Sequence, residues 1–203
     1  MTQTHTLDMT HVHFGTIPFN TPLMFTDGSA VYRRFARGYI THEKGFFIIA
    51  PSGAGKTHFL ERQKERHWLD GDTLWEATNA HPHGLWWLEP LEAIDAIDQR
   101  SDIITAQAKR LGFWVVGASN NWLQPDAVVL PPWPTHARYI RLREKARYDG
   151  GATTDRLQGV LEHRQWMRQW VRKGVPLFTS VDAAAAALAR RYAASRAVRR
   201  RRS

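Results

Sequence analysis

From Ala50 to Thr57 the chain reads Ala-Pro-Ser-Gly-Ala-Gly-Lys-Thr, small and polar residues in an order that suits the binding of a polyphosphate. Gly53 and Gly55 permit positive φ and let an anion come close to the backbone, so that successive N–H groups turn inward upon it. Ser52 and Ala54 complete the lining. A helix opening near Lys56 adds the positive end of its dipole. Lys56 can reach the β and γ phosphates of a nucleotide, and the Thr57 hydroxyl can hold the Mg2+ that bridges them. The competing reading of the same residues is a plain glycine turn between a strand and a helix.

Two further groups carry charge suited to group transfer. Asp70 and Asp72 flank Gly71, and a carboxylate there can orient or deprotonate an acceptor hydroxyl, or bind Mg2+ through water. The alternative is that one of them caps a helix beginning at Thr73. Arg143 and Arg147 stand one helical turn apart among Arg138 and Arg141, either as charges aimed at phosphate or as a solvated face. His11 and His13 share one face of an extended segment without a third ligand, which reads as surface histidine. Trp86 and Trp87 are candidates for stacking on a base or for the core.

These residues need a parallel sheet to hold them. Phe46–Ala50 is a short apolar run of the kind found in a strand buried on both faces. Similar strands are expected at 67–72, 112–120, 126–130 and 175–179. Helices are expected at 57–66, across 91–107 as one or two segments, at 135–147 capped by Thr135, at 155–171 and at 181–192. Ligands in such a sheet lie at the carboxyl ends of the strands, which would put Asp70 and Asp72 on the same edge as the glycine loop.

With 203 residues, 43% of them hydrophobic, the chain can bury a proper core. It has no cysteine, which excludes disulfides, thiolate zinc sites and a cysteine nucleophile. A reducing interior is compatible with this, and the expected location is cytoplasmic. No apolar run reaches the ~18 residues of a membrane span, and no secretory signal is visible. The net charge of +9 and pI near 10.3 point to polyanionic partners. Much of the excess lies in Arg190, Arg191, Arg196 and Arg199–Arg202, with no acid among them.

The segment 50–57 matches the phosphate-binding P-loop, with Ala50 in place of the usual first glycine. Taken with Leu69-Asp70-Gly71-Asp72-Thr73-Leu74 and the arginine helix, the order of elements from about Gly45 to Arg190 resembles the small P-loop kinases, the group of adenylate, gluconate and adenylylsulfate kinases. The resemblance implies a three-layer α/β/α P-loop NTPase fold with a mostly parallel five-stranded sheet. It implies a lead-in over 1–43, a kinase-like domain over 44–190 with a short helical lid at about 136–165 hinged at Gly150-Gly151, and a basic tail over 191–203. The implied activity is transfer of the γ-phosphoryl group of Mg-ATP to a nucleotide, nucleoside or other small acceptor. Lys56, Asp72, Arg143 and Arg147 are the catalytic candidates. Ser52–Thr57 and Arg143 would hold ATP, Asp70, Asp72, Asn120 and Arg164 the acceptor, and Thr57 the Mg2+, with Asp72 a candidate ligand through water. Asp155 and Arg164 match the pair that follows the lid.

The departures matter too. Adenylate kinases hold the acceptor phosphate with arginines where this chain has Trp75 and Asn120, and Val116 replaces the acid of the third strand. AMP is therefore a doubtful acceptor. The competing class is a nucleic-acid-associated P-loop NTPase whose arginine tail binds phosphate backbone, and a third is a kinase fold retained for interaction.

Overall fold

The computed structural model describes residues 36–78, 80, 90–147 and 151–200. The chain forms two compact units, one built from residues up to Gly45, Gln63–Val115 and Ser119–Leu123, the other from Phe46–Arg62, Val116–Ala118 and Gln124 onward. In order, the elements are β1 (Phe46–Ile49), α1 (Lys56–Glu61), β2 (Trp68–Asp70), α2 (Gly71–Ala77), α3 (Leu91–Arg110), β3 (Trp114–Gly117), β4 (Ala127–Val129), α4 (Trp133–Lys145), a 3-10 turn (Thr154–Arg156), α5 (Leu157–Arg172), β5 (Leu177–Phe178) and α6 (Val181–Arg200). The strands form one all-parallel sheet in the order β2-β3-β1-β4-β5. The α/β class expected from alternating apolar runs and helical periods is thus the observed one.

In the second unit the core follows from strand chemistry. All four residues of β1 and all three of β4 are buried, as β-branched and aromatic strands covered on both faces require. They pair in parallel with Ile48 opposite Ala127 and Ile49 opposite Val128, and β4 pairs in the same sense with β5. Asp126 anchors the start of β4, its carboxylate accepting from Phe47 N–H at 2.8 Å while its own N–H donates to the Phe47 carbonyl at 2.7 Å. Helix α6 packs on β1, β4 and β5 through Val181, Ala184, Ala185 and Leu188, a helical stripe at i, i+3, i+4 and i+7.

In the first unit, Trp75 of α2 is fully buried and donates its indole N–H to Thr105 Oγ1 of α3 at 3.0 Å. Helix α3 leads into β3 through Gly112, whose φ of +88° and close approach to the His42 carbonyl leave no place for a Cβ. His42 stacks on Trp114 with ring centroids 3.8 Å apart.

Several boundaries differ from expectation for local reasons. Strand β2 stops at Asp70 because the Asp70 carboxylate accepts from Asp72 N–H at 3.1 Å and caps α2, which therefore begins at Gly71 rather than Thr73. Helix α1 ends at Glu61, and the segment 91–110 is a single helix. Helix α4 begins at Trp133, with Pro134 in its first turn where a missing N–H costs nothing, so Thr135 is not its cap. It ends at Lys145, and Arg147 lies beyond it. Asp155 falls in the 3-10 turn before α5. Helix α6 runs on to Arg200 instead of fading near Tyr192, since alanine and arginine are both strong helix formers and no Gly or Pro interrupts them.

The lead-in up to Phe35 with His11 and His13, residues 79 and 81–89 with Trp86 and Trp87, Gly150 of the expected Gly150-Gly151 hinge, and Arg201 and Arg202 lie outside the described residues. Among the described residues no helix is long and apolar enough to cross a membrane.

Candidate functional site

The glycine loop and everything described around it here belong to the second unit. Strand β1 ends at Ile49, and the N–H of Ala50 after it pairs with the Gly117 carbonyl at 2.9 Å. The chain then turns through Pro51–Ala54, closed by Ala54 N–H to the Pro51 carbonyl at 3.1 Å, and enters α1 at Lys56. Gly53 and Gly55 take φ of +80° and +91°, the backbone that only glycine adopts at little cost. Among the described residues, the N–H groups of Gly53, Gly55 and Thr57 meet no hydrogen-bond acceptor. Gly55 and Thr57 open α1, where the first N–H groups have no intrahelical partner, and Gly53, which is buried, adds a third just before them. The Thr57 hydroxyl likewise has no partner among the described residues, and the residue is half-buried at the start of α1. Lys56 is buried, and its Nζ donates to the carbonyls of Ala50 at 3.2 Å and Pro51 at 3.4 Å, both long for charge-assisted bonds.

One face of α4 shapes the crown of the loop. His136, Ile140 and Arg143 are spaced i, i+4 and i+7, so they share that face. His136 Nε2 lies 2.8 Å from the Ser52 carbonyl, and Arg143 Nη1 donates to Ser52 Oγ at 3.2 Å. A Cβ on Gly53 would lie 2.8 Å from Ile140 Cγ1. Ser52 Oγ also accepts from Ala152 N–H at 2.9 Å, which ties the segment following α4 to the loop.

The His136 tautomer follows from its neighbours. Arg164 Nη1 lies 2.9 Å from His136 Nδ1, and a guanidinium can only donate. Nδ1 is therefore the acceptor, and Nε2 carries the proton given to Ser52. The ring is neutral, and its pKa is held below 6.5 by burial first; the Ser52 bond opposes this, and the charges of Arg164 and Lys56 add to it. Arg164 is buried, donates a second bond to the Pro131 carbonyl at 2.8 Å, and lies 5.6 Å from the Trp133 ring centroid. His163 is pushed down to about 4, chiefly by burial and then by Lys56, with the Ala118 backbone opposing and His136 adding.

Of the residues expected to carry chemistry, the second unit thus brings Ser52, Gly53, Ala54, Gly55, Lys56, Thr57 and Arg143 together. Arg164 reaches the loop only through His136, as a brace whose guanidinium is engaged by protein atoms. The expected common face of Arg143 and Arg147 is corrected: Arg147 is exposed, past the end of α4, with φ +52°, closing the helix in the left-handed position usually taken by glycine. Asp155 is exposed beside Arg156, at 3.6 Å.

Asp70, Asp72 and Asn120 belong to the first unit. Asp70 caps α2, and Asp72 is half-buried in its first turn. Asn120 is fully buried and donates its amide to the Leu123 carbonyl at 2.6 Å. Trp75 is core. Sequence reasoning missed His136 and His163, and also Asp98 and Asp102 on α3. For His136 the available signal was its place two turns before Arg143 on one helical face. Among the described residues no three His, Asp or Glu side chains converge as metal ligands.

No protein-family model matches this chain, and no curated protein or solved structure matches it. The likeness to the small kinases rests on the residues quoted for it.

Proposed function

We propose that the loop Ala50–Thr57 holds the triphosphate tail of Mg-ATP and that the protein is an ATP-dependent phosphotransferase of the P-loop class, acting on a nucleotide, nucleoside or other small acceptor. The observation that carries this is the set of N–H groups on Gly53, Gly55 and Thr57 without an acceptor, in a turn whose shape is held from outside by His136, Ile140 and Ala152. Such groups are donors pre-arranged for an anion. The long bonds from Lys56 Nζ to two carbonyls are ones a phosphate oxygen would replace with stronger, charge-assisted ones. Arg143 on Ser52 brings a second cation to the same crown, suited to the charge on a transferring phosphoryl group. The Thr57 hydroxyl is a protein oxygen that would hold Mg2+, which when bound would neutralise charge on the phosphates. In the transfer, the acceptor oxygen bonds to the γ phosphorus as the bond from phosphorus to the β,γ-bridging oxygen breaks, ADP departs, and the acceptor hydroxyl gives its proton to solvent.

The test is calorimetric titration with Mg-ATP, followed by single turnover with γ-labelled ATP and a panel of acceptors. Lys56→Ala is expected to weaken ATP binding by about tenfold to a hundredfold, the worth of charge-assisted bonds. Unchanged affinity in that variant would remove the assignment.

A second reading has one observation in its favour. Helix α6 carries Arg190, Arg191, Arg196, Arg199 and Arg200 on a continuous helical stretch, which suits a phosphate backbone and an NTPase that works on nucleic acid. Dependence of ATP turnover on added RNA or DNA separates the two.

A further inference from the structure

In the first unit, buried acceptor atoms without donors lie on α3 and on the turn that is bonded to it. Asp98 and Asp102 stand one turn apart on α3. Asp102 is buried, and its Oδ2 accepts three consecutive backbone N–H groups, from Asn121 at 2.9 Å, Trp122 at 2.5 Å and Leu123 at 2.9 Å. Its Oδ1 is buried with no partner, and so is Asp98 Oδ1. Asn120 opens the same turn and is fully buried. Only nitrogen can donate to the Leu123 carbonyl, so the bond from its Nδ2 fixes which way the amide faces, and the atom left buried without a partner is Oδ1. Leu123 links the two groups, taking the Asn120 amide on its carbonyl and giving its own N–H to Asp102.

Three of the five partnerless buried side-chain atoms among the described residues are these oxygens. All three are acceptors. A shared proton can join two of them but not three, whereas one cation can take all three at once. The donor set is oxygen alone, which selects a hard ion over zinc or copper. Asp98 is hydrogen-bonded to the side chain of Ser119, the first residue of the same 119–123 segment.

We propose that Asp98, Asp102 and Asn120 bind a hard divalent cation of the Mg2+ or Ca2+ type, which staples the 119–123 segment to α3. Water and backbone carbonyls complete its shell, as is usual for these ions. This site is independent of the nucleotide reading, because it needs neither the glycine loop nor ATP.

The experiment uses the full chain, stripped with EDTA and free of nucleotide. Calorimetric titration with Mg2+ and separately with Ca2+ should show one site, and the tighter of the two identifies the ion. Tb3+ luminescence excited through tryptophan should rise, since Trp122 lies in the bound turn, and Ca2+ or Mg2+ should quench it by competition. Asp98→Asn and Asp102→Asn should each weaken binding at least tenfold while far-UV circular dichroism stays native. Asp98 receives no backbone bond among those described, so its variant is the one expected to keep the fold. No heat and no Tb3+ signal at millimolar ion, or wild-type binding in both variants, would overturn the proposal. So would an Asp98→Asn gain in thermal stability that saturating Mg2+ and Ca2+ fail to narrow, which would mark the pair as one that merely shares a proton.

Discussion

Ser52 is the point on which the second unit converges, its carbonyl held by His136 and its hydroxyl by Ala152 and Arg143. His136 in turn depends on Arg164 for its tautomer. Replacing His136 with Phe keeps a flat ring but takes from the Ser52 carbonyl its donor and from the buried Arg164 guanidinium its acceptor on the ring, at an expected loss of about 2–4 kcal/mol in urea unfolding. Stability should also depend on pH through the two histidines. Both have folded pKa values below the 6.5 of the free side chain, His163 at about 4. On acidification from pH 6.5 toward 4 the unfolded chain therefore takes up protons that the folded chain refuses, and stability falls. His163→Gln should remove part of that slope, with its advantage over wild type by urea midpoint growing as pH falls from 6.5 and levelling off near pH 4.

Helices α4 and α3 each turn one face to a loop, and each face has a testable weak point. On α4, the close approach of Ile140 and the positive φ forbid a side chain at position 53. Gly53→Ala should cost about 1–3 kcal/mol from strain and overpacking and abolish ATP binding by calorimetry, whereas a loop with no ligand would lose stability alone. On α3 the direction of pH dependence is reversed. Asp98 and Asp102 have folded values of about 7 and about 6 against 3.8 unfolded, so the folded chain retains protons that the unfolded chain has lost. Their contribution is present below pH ~4 and is lost as pH rises through 6 and 7. In EDTA, Asp98→Asn should be more stable than wild type at pH 8, and the difference should narrow as pH falls below 7 and close near pH 4.

For the chain in its entirety, charge is the property to probe. Arginine accounts for the basic excess at the C-terminal end, and α6 presents Arg190, Arg191, Arg199 and Arg200 exposed, with Arg196 lying 5.8 Å from the Tyr192 ring centroid. Tyr192 meets Phe46 edge-on with centroids 6.5 Å apart, so a chain ending at Ser195 keeps the packing of the helix. Deleting Arg196–Ser203 should leave ATP affinity unchanged. If the full chain retains nucleic acid in a filter assay, retention should fall steeply with salt and largely disappear in the deletion.

Much of this was legible beforehand. The α/β class, the five strands, the strand-loop-helix order around Gly53 and Gly55, and the helix carrying Arg143 all follow from short-range signals: an apolar run, glycine permissiveness and helical period act within a few residues and need no fold to express themselves. Asp70, Arg147 and Arg164 show where that reach ended. Asp70 looked like chemistry and became a cap, because a strand and a helix meet there without an intervening residue. Arg147 lost its helical partner when α4 ended two residues early. Arg164 was read as a substrate contact and became a brace, since only packing of α5 brings it to His136, 28 residues away in sequence. The same holds for Asp98, Asp102 and Asn120, whose unpaired oxygens exist only because a turn closes over a helix nineteen to twenty-one residues before it. Residue types and local spacing determine which groups are available for binding; burial and long-range contact determine which of them have their bonds satisfied by the protein and which are left for something else.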